Sequence, residues 1–556
     1  MVGDKNQHSE YSLSENQGRI LLLLATVVGL CLLHITVLAL TPFAPYWDEV
    51  ATGMAVKNFW DTGTPTLLPQ LGTPNFLPGF PYPAEWEYLV EIVMRLPFYV
   101  ASGFHPFHWG EVSSLVYVYV VCVGLWVWVW RSKPSTPILA TLAIFLVLFF
   151  HSTMVTSEFH YLRYYPFLLL AMAVSHAVGI GLYLQEDQGF WGKRLKILGV
   201  TLIPAFFNPT ALAGFTLWIL FLGAEGVYLL ASGRLSLGSL SRKERWGLSL
   251  MGMGVAAILG WVFWAYNGFF HWNWSGLVWE KFFRLNTAAN RYEHVFLLLL
   301  VALSPLLWKG MTRWERGLSL GSGLFLLTTL TLFASLVSGK VLNNPFMYLL
   351  FLHPIWLWFL TSLISSALRQ GLGWLQFSGS GQIWVYVGCL LILTLAFKFN
   401  HFFNQPHPVT WQEIELLKKR MGSQPERIVV LAEDTGFLFF HFPDVLAFSL
   451  RSHPDPNSLP TPDSWKSQGR PTSTVFQVRF QGPDHRVKTL FGETLVGNLS
   501  SFCQLVEDYP DRLYIFHRPE ARHIEPALWQ RLKGHAYLSN REKISAPTLM
   551  ADICGE

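Results

Sequence analysis

The sequence contains few charged residues and few cysteines. Only 14% of its 556 residues are charged, whereas 51% are hydrophobic and 15% are aromatic. An average soluble domain carries about 25% charged residues, so this chain is too apolar for an ordinary soluble enzyme of its length. The formal net charge of +4 gives no support for nucleic-acid binding, because membrane topology explains the basic residues.

The five cysteines are too few to define a disulfide framework. Cys31, Cys122 and Cys389 fall within apolar segments, where a free thiol behaves as a small hydrophobe. Cys503 and Cys554 lie in the C-terminal part, where they could form a disulfide if that part is exported. The sequence leaves this pairing open.

Long apolar segments dominate the first 401 residues. A helix needs about 20 residues to cross the hydrocarbon core. By this criterion we predict about eleven spans, and the fifth is short, with Pro209 suited to a turn before the sixth. The segments are 19–40, 110–130, 135–154, 164–184, 195–207, 210–231, 247–267, 293–308, 317–337, 345–368 and 381–401.

Most basic residues lie in every second loop that joins these segments. Lys and Arg are retained on the cytoplasmic side of short loops, and a cytoplasmic N-terminus places most of them inside. We therefore predict a protein of the cytoplasmic (inner) membrane with a cytoplasmic N-terminus, an extracytoplasmic first loop and an extracytoplasmic C-terminal part. The predicted inside residues are Arg131, Lys133, Lys193, Arg194, Lys196, Arg234, Arg242, Lys243, Arg245, Lys309, Arg313, Arg316 and Arg369.

The predicted fold class is a polytopic α-helical membrane protein with a small C-terminal α/β domain. Residues 1–18 form a cytoplasmic tail, residues 19–401 the transmembrane domain with the long first loop 41–109, and residues 402–556 an extracytoplasmic soluble domain. In the last part "VTWQEIELLKKRMGSQPERIVVLAED" predicts a helix, a turn and a buried strand, and "DRLYIFHRP" predicts a second strand.

Two adjacent carboxylates, Asp48 and Glu49, directly follow the first apolar segment in "TPFAPYWDEVATGMAVKNFWDTGTP". An ionised acid at the border of a span is costly unless it is hydrated, paired or used, which makes such acids candidates for function. The alternative is a pair of solvated loop residues, with Asp48 capping the short helix that follows. The residues alone leave both interpretations open.

The stretch "YWDEVATGMAVKNFWDTGTP" resembles the opening motif of the GT-C superfamily of membrane glycosyltransferases. The similarity is to the branch of protein O-mannosyltransferases and lipid A aminoarabinose transferases. It continues in the amphipathic helix of "PAEWEYLVEIVMRLPFYVASGF", in "YLRYYPFLLLAM", in "NNPFMYLLFLHPIWLW" and in the exported C-terminal domain. The resemblance implies a GT-C-like architecture over essentially the whole chain.

What the resemblance implies is transfer of one sugar from a polyprenyl-phosphate donor to an acceptor hydroxyl at the extracytoplasmic face. The acceptor is a lipid, a glycan or a protein, and it must lose a proton as it attacks the anomeric carbon. A positioned carboxylate can serve as the general base, and the matching residue is Asp48. Glu49 is expected to orient the loop or to bind the sugar or a cation.

The second outer loop, "HSTMVTSEFHYLRYYPF", supplies Glu158, His160 and Arg163. In parts of the superfamily a second acid from this region faces the first, sometimes across a metal ion. Asp48, Glu158 and His160 are therefore the candidate ligands for a divalent ion, although hydrated loop residues would look the same. No cofactor is otherwise implied.

The donor phosphate needs cationic or hydrogen-bonding partners. Arg163 ranks first because it precedes Tyr164, where the resemblance also places an arginine, and it joins Tyr164 as a candidate substrate-binding residue. One departure is that "NNPFMYLLFLHP" lacks the arginine that many relatives carry. The other outer cations that could bind the donor are Lys281, Arg284, Arg291 and Lys340.

Two other functional classes stay open. A lipid or glycan transporter would also have many spans, but it should place charged residues at mid-membrane and show broken helices. A non-catalytic assembly subunit with a GT-C scaffold would fit the absent arginine. The sequence leaves the sugar, the acceptor and the oligomeric state undetermined.

Overall fold

The computed structural model describes residues 135–151, 165–185, 190–207, 211–233, 304–336 and 350–374, most of 410–461 and 479–555, and isolated positions elsewhere. The chain divides into two compact units. We call the described helices between residues 135 and 374 the helical unit, and the described residues 410–555 the sheet unit.

Six α-helices of the helical unit overlap six of the predicted apolar segments. Two of its stretches, Phe167–Leu184 and Leu350–Gly371, are long and apolar enough to cross a membrane, and Ile138–Phe149 and Gly214–Leu229 are shorter apolar helices. Most of the other predicted spans lie outside the described residues, so their number stays a prediction. The helices are α1 (Thr136–His151), α2 (Tyr165–Leu184), α3 (Phe190–Leu202), α4 (Leu212–Ala231), α5 (Arg313–Leu336) and α6 (His353–Trp374).

Short 3-10 turns extend two of these helices. Ile203–Phe206 continues α3, with Pro204 inside the turn, and Leu350–Leu352 leads into α6. The predicted break between segments 195–207 and 210–231 is therefore present, because α3 and its 3-10 turn end before α4 begins. Pro209 itself lies outside the described residues.

Helices α1, α2, α5 and α6 share one apolar core. The Trp358 indole stacks on Phe145 with 3.7 Å between ring centroids, and its Nε1–H donates to the Ala173 carbonyl at 2.9 Å. Gly317 brings α5 close to α2, since a Cβ at this position would lie 2.7 Å from Leu184 Cδ1. Small residues at a helix contact permit this approach, which is a common device where lipid removes the hydrophobic drive between helices.

A buried polar network joins the start of α5 to the end of α6. Thr312 and Glu315 form a capping box, in which the Thr312 N–H donates to Glu315 Oε2 at 2.7 Å and the Glu315 N–H donates to Thr312 Oγ1 at 3.2 Å. The Glu315 carboxylate also forms an ion pair with Arg369 and accepts from Ser365 Oγ at 2.9 Å. Thus a fully buried acid is paired and hydrogen-bonded.

A second ionic contact joins α3 to α4. Arg194, near the start of α3, pairs with Glu225, near the end of α4. The Tyr183 hydroxyl, at the end of α2, donates to the same carboxylate at 3.3 Å. One end of each of these three helices is therefore held at one place.

The sheet unit is built on a four-stranded sheet in the order β2-β1-β5-β6 and a separate hairpin, β3-β4. Strands β2 and β5 both run parallel to β1, and β6 is antiparallel to β5. The predicted helix, turn and two strands are present as α7, β1 and β5. The elements are α7 (Trp411–Met421), β1 (Ile428–Ala432), α8 (Gly436–His441), β2 (Leu446–Ser449), β3 (Arg479–Gln481), β4 (Val487–Thr489), α9 (Leu499–Asp508), β5 (Leu513–His517), α10 (Pro526–Leu532), β6 (Ile544–Ser545) and α11 (Ala546–Leu549).

Alternation along the buried strands sends side chains to two separate cores. Val430 and Ile515 pack against α7 and α8 on one face. Leu431 and Phe516 pack against α9, α10 and α11 on the other. The result is a layered α/β/α arrangement, as expected when a parallel sheet must bury both faces.

The chain termini of the sheet unit are fixed by specific contacts. Thr410 caps α7 in a reciprocal capping box with Glu413. At the other end Cys503 of α9 and Cys554 form a disulfide. The pairing that the sequence left open is therefore present.

Candidate functional site

All ten predicted site residues lie outside the described residues. Four of them belong to the stretch "HSTMVTSEFHYLRYYPF", which joins α1 to α2 in the chain, and these two helices are described. Whether the acids and cations come together stays a prediction. The residues are Asp48, Glu49, Glu158, His160, Arg163, Tyr164, Lys281, Arg284, Arg291 and Lys340.

The described part of the chain has its own concentration of polar side chains, at the carboxyl ends of the parallel strands. The chain passes from β1 to β2 on one side, and β5 lies on the other side of β1. The gap between the ends of β1 and β5 is therefore a topological switch point, where open α/β sheets bind ligands.

Glu433, Glu520 and His523 meet at this switch point. Glu433 follows β1, and the other two residues follow β5. One ligand atom from each residue lies within 4.8 Å of the others, and His523 Nε2 is 3.0 Å from Glu433 Oε1. One imidazole nitrogen and two carboxylate oxygens are a donor set that Zn²⁺ or Mn²⁺ accepts.

Two arginines already balance the carboxylates of this cluster. Arg451 Nη2 is 3.6 Å from Glu433 Oε1, and Arg522 Nε is 2.6 Å from Glu520 Oε2. A divalent ion would have to compete with both guanidinium groups. The arrangement is therefore a charge-balanced ion-pair network whose donor set fits a metal only after rearrangement.

The loop after β1 is positioned by a buried acid. Glu493 accepts hydrogen bonds from the Thr435 N–H at 3.1 Å and from Thr435 Oγ1 at 3.0 Å. Arg479 lies near the same acid, and burial together with the charge of Arg451 lowers the pKa of its guanidinium. These contacts set the backbone path that carries Glu433 to the switch point.

A different set of polar groups lies toward α7. His517, the last residue of β5, is 7% exposed, and its ring is 5.4 Å from that of Phe437. Burial lowers the pKa of His517 to about 4, so the imidazole is neutral at pH 7. The next residue, Arg518, forms an ion pair with Glu413 of α7.

In the C-terminal part the sequence analysis singled out only the two cysteines and the predicted helix and strands, so it missed both groups. A signal was available in "IVVLAED" and "LYIFHRPEARH", where acids, histidines and arginines directly follow two buried strands. Two parallel strands that are neighbours bring such residues together at one edge. The sequence predicted the strands but gave no reason to pair them in parallel.

Comparison with known proteins gives no match to any family model, to any curated protein or to any solved structure. The function is therefore argued from this chain alone.

Proposed function

We propose that this protein is a multi-span membrane glycosyltransferase of the GT-C type. It moves a sugar from a polyprenyl-phosphate donor to an acceptor hydroxyl at the extracytoplasmic face of the cytoplasmic membrane, with about eleven spans and an exported C-terminal domain. The observation that carries the proposal is the acid pair Asp48-Glu49, placed directly after the first apolar segment in a GT-C-like motif.

The surface of the helical unit supports the membrane part of the proposal. Large apolar side chains stand exposed on more than one of its helices, including Leu220 at 62% and Val227 at 67% on α4 and Leu320 at 54% on α5. Exposed large apolar side chains are unfavourable in water and suit a hydrocarbon surround. A lipid bilayer is therefore a partner in the proposal.

The ionic contacts between helix ends support the proposed number of spans between the paired positions. Glu315 and Arg369 lie at the start of α5 and the end of α6, two positions that the basic-residue pattern places inside. Arg194 and Glu225 likewise join ends of α3 and α4 that the same pattern places inside. An error of one span between the paired positions would put the two partners on opposite sides of the membrane.

The disulfide supports an extracytoplasmic location for the C-terminal part. Cys503 and Cys554 are bonded within the sheet unit. Disulfides persist in oxidising compartments and are rare in the cytosol. This agrees with the side of the membrane on which polyprenyl-linked sugars would be used in the proposal.

In the proposed mechanism Asp48 takes the proton of the acceptor hydroxyl as that oxygen attacks the anomeric carbon. The bond from this carbon to the phosphate oxygen breaks, and the lipid phosphate leaves as an anion stabilised by Arg163 and the other outer cations. A single base suffices because the phosphate needs no protonation. A divalent ion held by Asp48, Glu158 and His160 is a further part of the proposal.

Sugar transfer in membranes tests the proposal. Wild type, Asp48→Asn and Asp48→Glu are compared at equal expression with a labelled pool of polyprenyl-phosphate sugars. We expect Asp48→Asn to lose about 10²- to 10⁴-fold in rate, as for removal of a general base, and Asp48→Glu to retain part of the activity. Glu415→Gln is the matched control, because it removes an exposed carboxylate from the outer face of α7.

The outcomes separate the functional classes. Full transfer by Asp48→Asn would show that Asp48 is not the base. If folded wild-type protein transfers no sugar, the result would favour a non-catalytic assembly subunit. The absent arginine in "NNPFMYLLFLHP" also fits that alternative.

A further inference from the structure

We propose that the sheet unit binds one Zn²⁺ ion through Glu433, Glu520 and His523, at the switch point between β1 and β5. The proposal concerns a binding site within the sheet unit. It does not depend on sugar transfer or on the loop residues named above as candidate metal ligands.

The spacing of the three side chains is close to that of ligands around one ion. They are the one group of at least three histidine, cysteine or acidic side chains in the described part of the chain whose ligand atoms all lie within 4.8 Å of one another. Ligands at about 2.0–2.2 Å from a tetrahedral Zn²⁺ are separated from each other by about 3.4 Å. Shifts of about 1–1.5 Å, within reach of side-chain rotation, therefore bring all three atoms to one ion.

The backbone that carries these side chains is held in place by hydrogen bonds. The hydroxyl of buried Ser449 donates to the Glu433 carbonyl at 2.8 Å, and the Ser452 N–H donates to the His523 carbonyl at 2.7 Å. The His523 N–H donates to the Glu520 carbonyl at 3.1 Å and closes a 3-10 turn, in which residues three apart lie on the same side. The fold thus fixes the backbone before an ion binds, which lowers the conformational entropy that binding costs.

Solvent reaches all three ligands, so an ion can enter with its water. The side chains of Glu433, Glu520 and His523 are 21%, 45% and 35% exposed. Zinc sites with three protein ligands keep a further position for a water molecule. The partial exposure of the cluster suits a site of this kind.

The two guanidinium groups of the cluster compete only weakly with the ion. Arg522 is 73% exposed, and an exposed ion pair contributes little, so this side chain can turn into water at small cost. Arg451 Nη2 is 3.6 Å from Glu433 Oε1, which is beyond the limit of about 3.2 Å for an N–H···O hydrogen bond. The rearrangement that the ion requires is therefore mainly the displacement of Arg522 from Glu520.

The imidazole selects the kind of ion. Mg²⁺ and Ca²⁺ prefer oxygen ligands, whereas imidazole nitrogen suits Zn²⁺ and related transition metals, and Zn²⁺ binds more tightly than Mn²⁺. A neutral imidazole has one N–H, so binding through Nε2 of His523 leaves that proton on Nδ1. An acidic cluster without a built site would bind divalent ions with no need for His523.

Zn²⁺ titration of the full-length protein in detergent, after treatment with a chelator, tests the proposal. Hydrogen exchange of the amides of residues 520–523 is the local readout, and we expect Zn²⁺ to protect them in wild type. His523→Gln and Glu520→Gln should each weaken the affinity at least about 10-fold, because even residues that only support metal ligands cost about 10–100-fold when changed. His535→Gln is the matched control, since His535 is 31% exposed and lies 3.8 Å from Asp552. It should leave the affinity unchanged.

Arg522→Gln should change the affinity in the opposite direction. It removes the competing guanidinium from Glu520, so we expect Zn²⁺ to bind up to about 5-fold more tightly, the amount that an exposed ion pair is worth. Weaker binding in this variant would contradict the proposed competition and overturn the site.

The local readout separates this site from zinc bound elsewhere on the chain. The substituted side chains are partly exposed, so the metal-free variants should melt close to wild type. Three results would each overturn the proposal: no protection of residues 520–523 by Zn²⁺ in wild type, equal protection in His523→Gln, or an equal loss of affinity in His535→Gln. Equal protection by Mg²⁺ at the same concentration would also overturn it, because it would indicate an acidic cluster that does not use the imidazole.

Discussion

The helical unit and the sheet unit hide their apolar residues differently. In the helical unit, helix faces such as those of Leu320, Leu324 and Leu327 are about half exposed, whereas the sheet unit buries apolar side chains on both faces of its strands. Both units obey the same preference for removing apolar surface from water. The difference is the one expected if the helical unit lies in a bilayer, as we propose.

Buried charged and polar groups occur in both units. The helical unit pairs Glu315 with Arg369 at helix ends and completes the pair with Thr312 and Ser365. The sheet unit leaves His517 Nε2 and two Arg420 nitrogens without partners in its described part. Arg369 Nε of the helical unit is likewise buried without a hydrogen-bond partner among the described residues, so an unpaired buried nitrogen does not distinguish the two units.

The largest expected effect on stability comes from breaking the buried pair of the helical unit. Glu315→Leu leaves Arg369, which is 24% exposed, without its carboxylate, and we expect a loss of about 3–5 kcal/mol. Thermal unfolding in detergent measures it. Arg522→Gln is the control, because its pair with Glu520 is open to solvent and should contribute less than about 1 kcal/mol. Equal effects would contradict the structural role of Glu315.

Removing the disulfide should affect the sheet unit alone. The bond closes a loop of 51 residues, for which the chain-entropy account gives about 4 kcal/mol. In Cys503→Ala/Cys554→Ala we expect the opening free energy of amides in β1 and β5 to fall by about that amount. Hydrogen exchange on the full chain measures both units, and unchanged protection in β5 would argue against the bond.

Two leucine-to-lysine substitutions test whether the two units have different surroundings, lipid for α5 and water for α7. Leu324, near the middle of α5, and Leu416, on α7, are 51% and 54% exposed. Leu324→Lys should cost about 2.5–3.5 kcal/mol if that face meets lipid, whereas Leu416→Lys should stay within about 0.5 kcal/mol in water. Membrane insertion and thermal unfolding provide the readouts. Equal tolerance would remove the membrane interpretation of α5.

Acidification should weaken the sheet unit through His517. Its pKa is about 4 in the folded protein and about 6.5 when unfolded, so the unfolded chain binds more protons between these values. Stability is therefore lost as the pH falls from 6.5 toward 4, by about 2 kcal/mol at pH 5. Hydrogen exchange of β5 amides should show this loss in wild type. In His517→Phe the part due to His517 should vanish.

The sequence predicted a helix or strand well where the hydrophobic pattern of one segment is enough to define it. The apolar runs at 135–154, 164–184 and 317–337 became α1, α2 and α5 because each run can satisfy its backbone within one helix. The buried run "RIVVLA" became β1 for the same kind of reason. The predicted catalytic residues depend on loops outside the described part of the chain, so they remain predictions.

Partners that are far apart in the chain could not be read from the sequence. Arg369 was assigned only to an inside loop, and Glu315, Glu433 and His523 were not singled out at all. Their pairing depends on which helices pack and on which strands become neighbours. Hydrophobic pattern sets the kind of element, but it does not specify the neighbour.

By itself the sequence determined that the chain is mostly helical and apolar, that its C-terminal part changes to a mixed composition, and that an acid pair follows the first apolar segment. Local composition and periodicity contain this information, because burial and backbone hydrogen bonding act over a few turns or one strand. Only the tertiary structure decided that β1 and β5 lie parallel, that Cys503 meets Cys554, and that His517 at the end of β5 is buried. These facts depend on contacts between distant segments, which the packing of the whole unit selects.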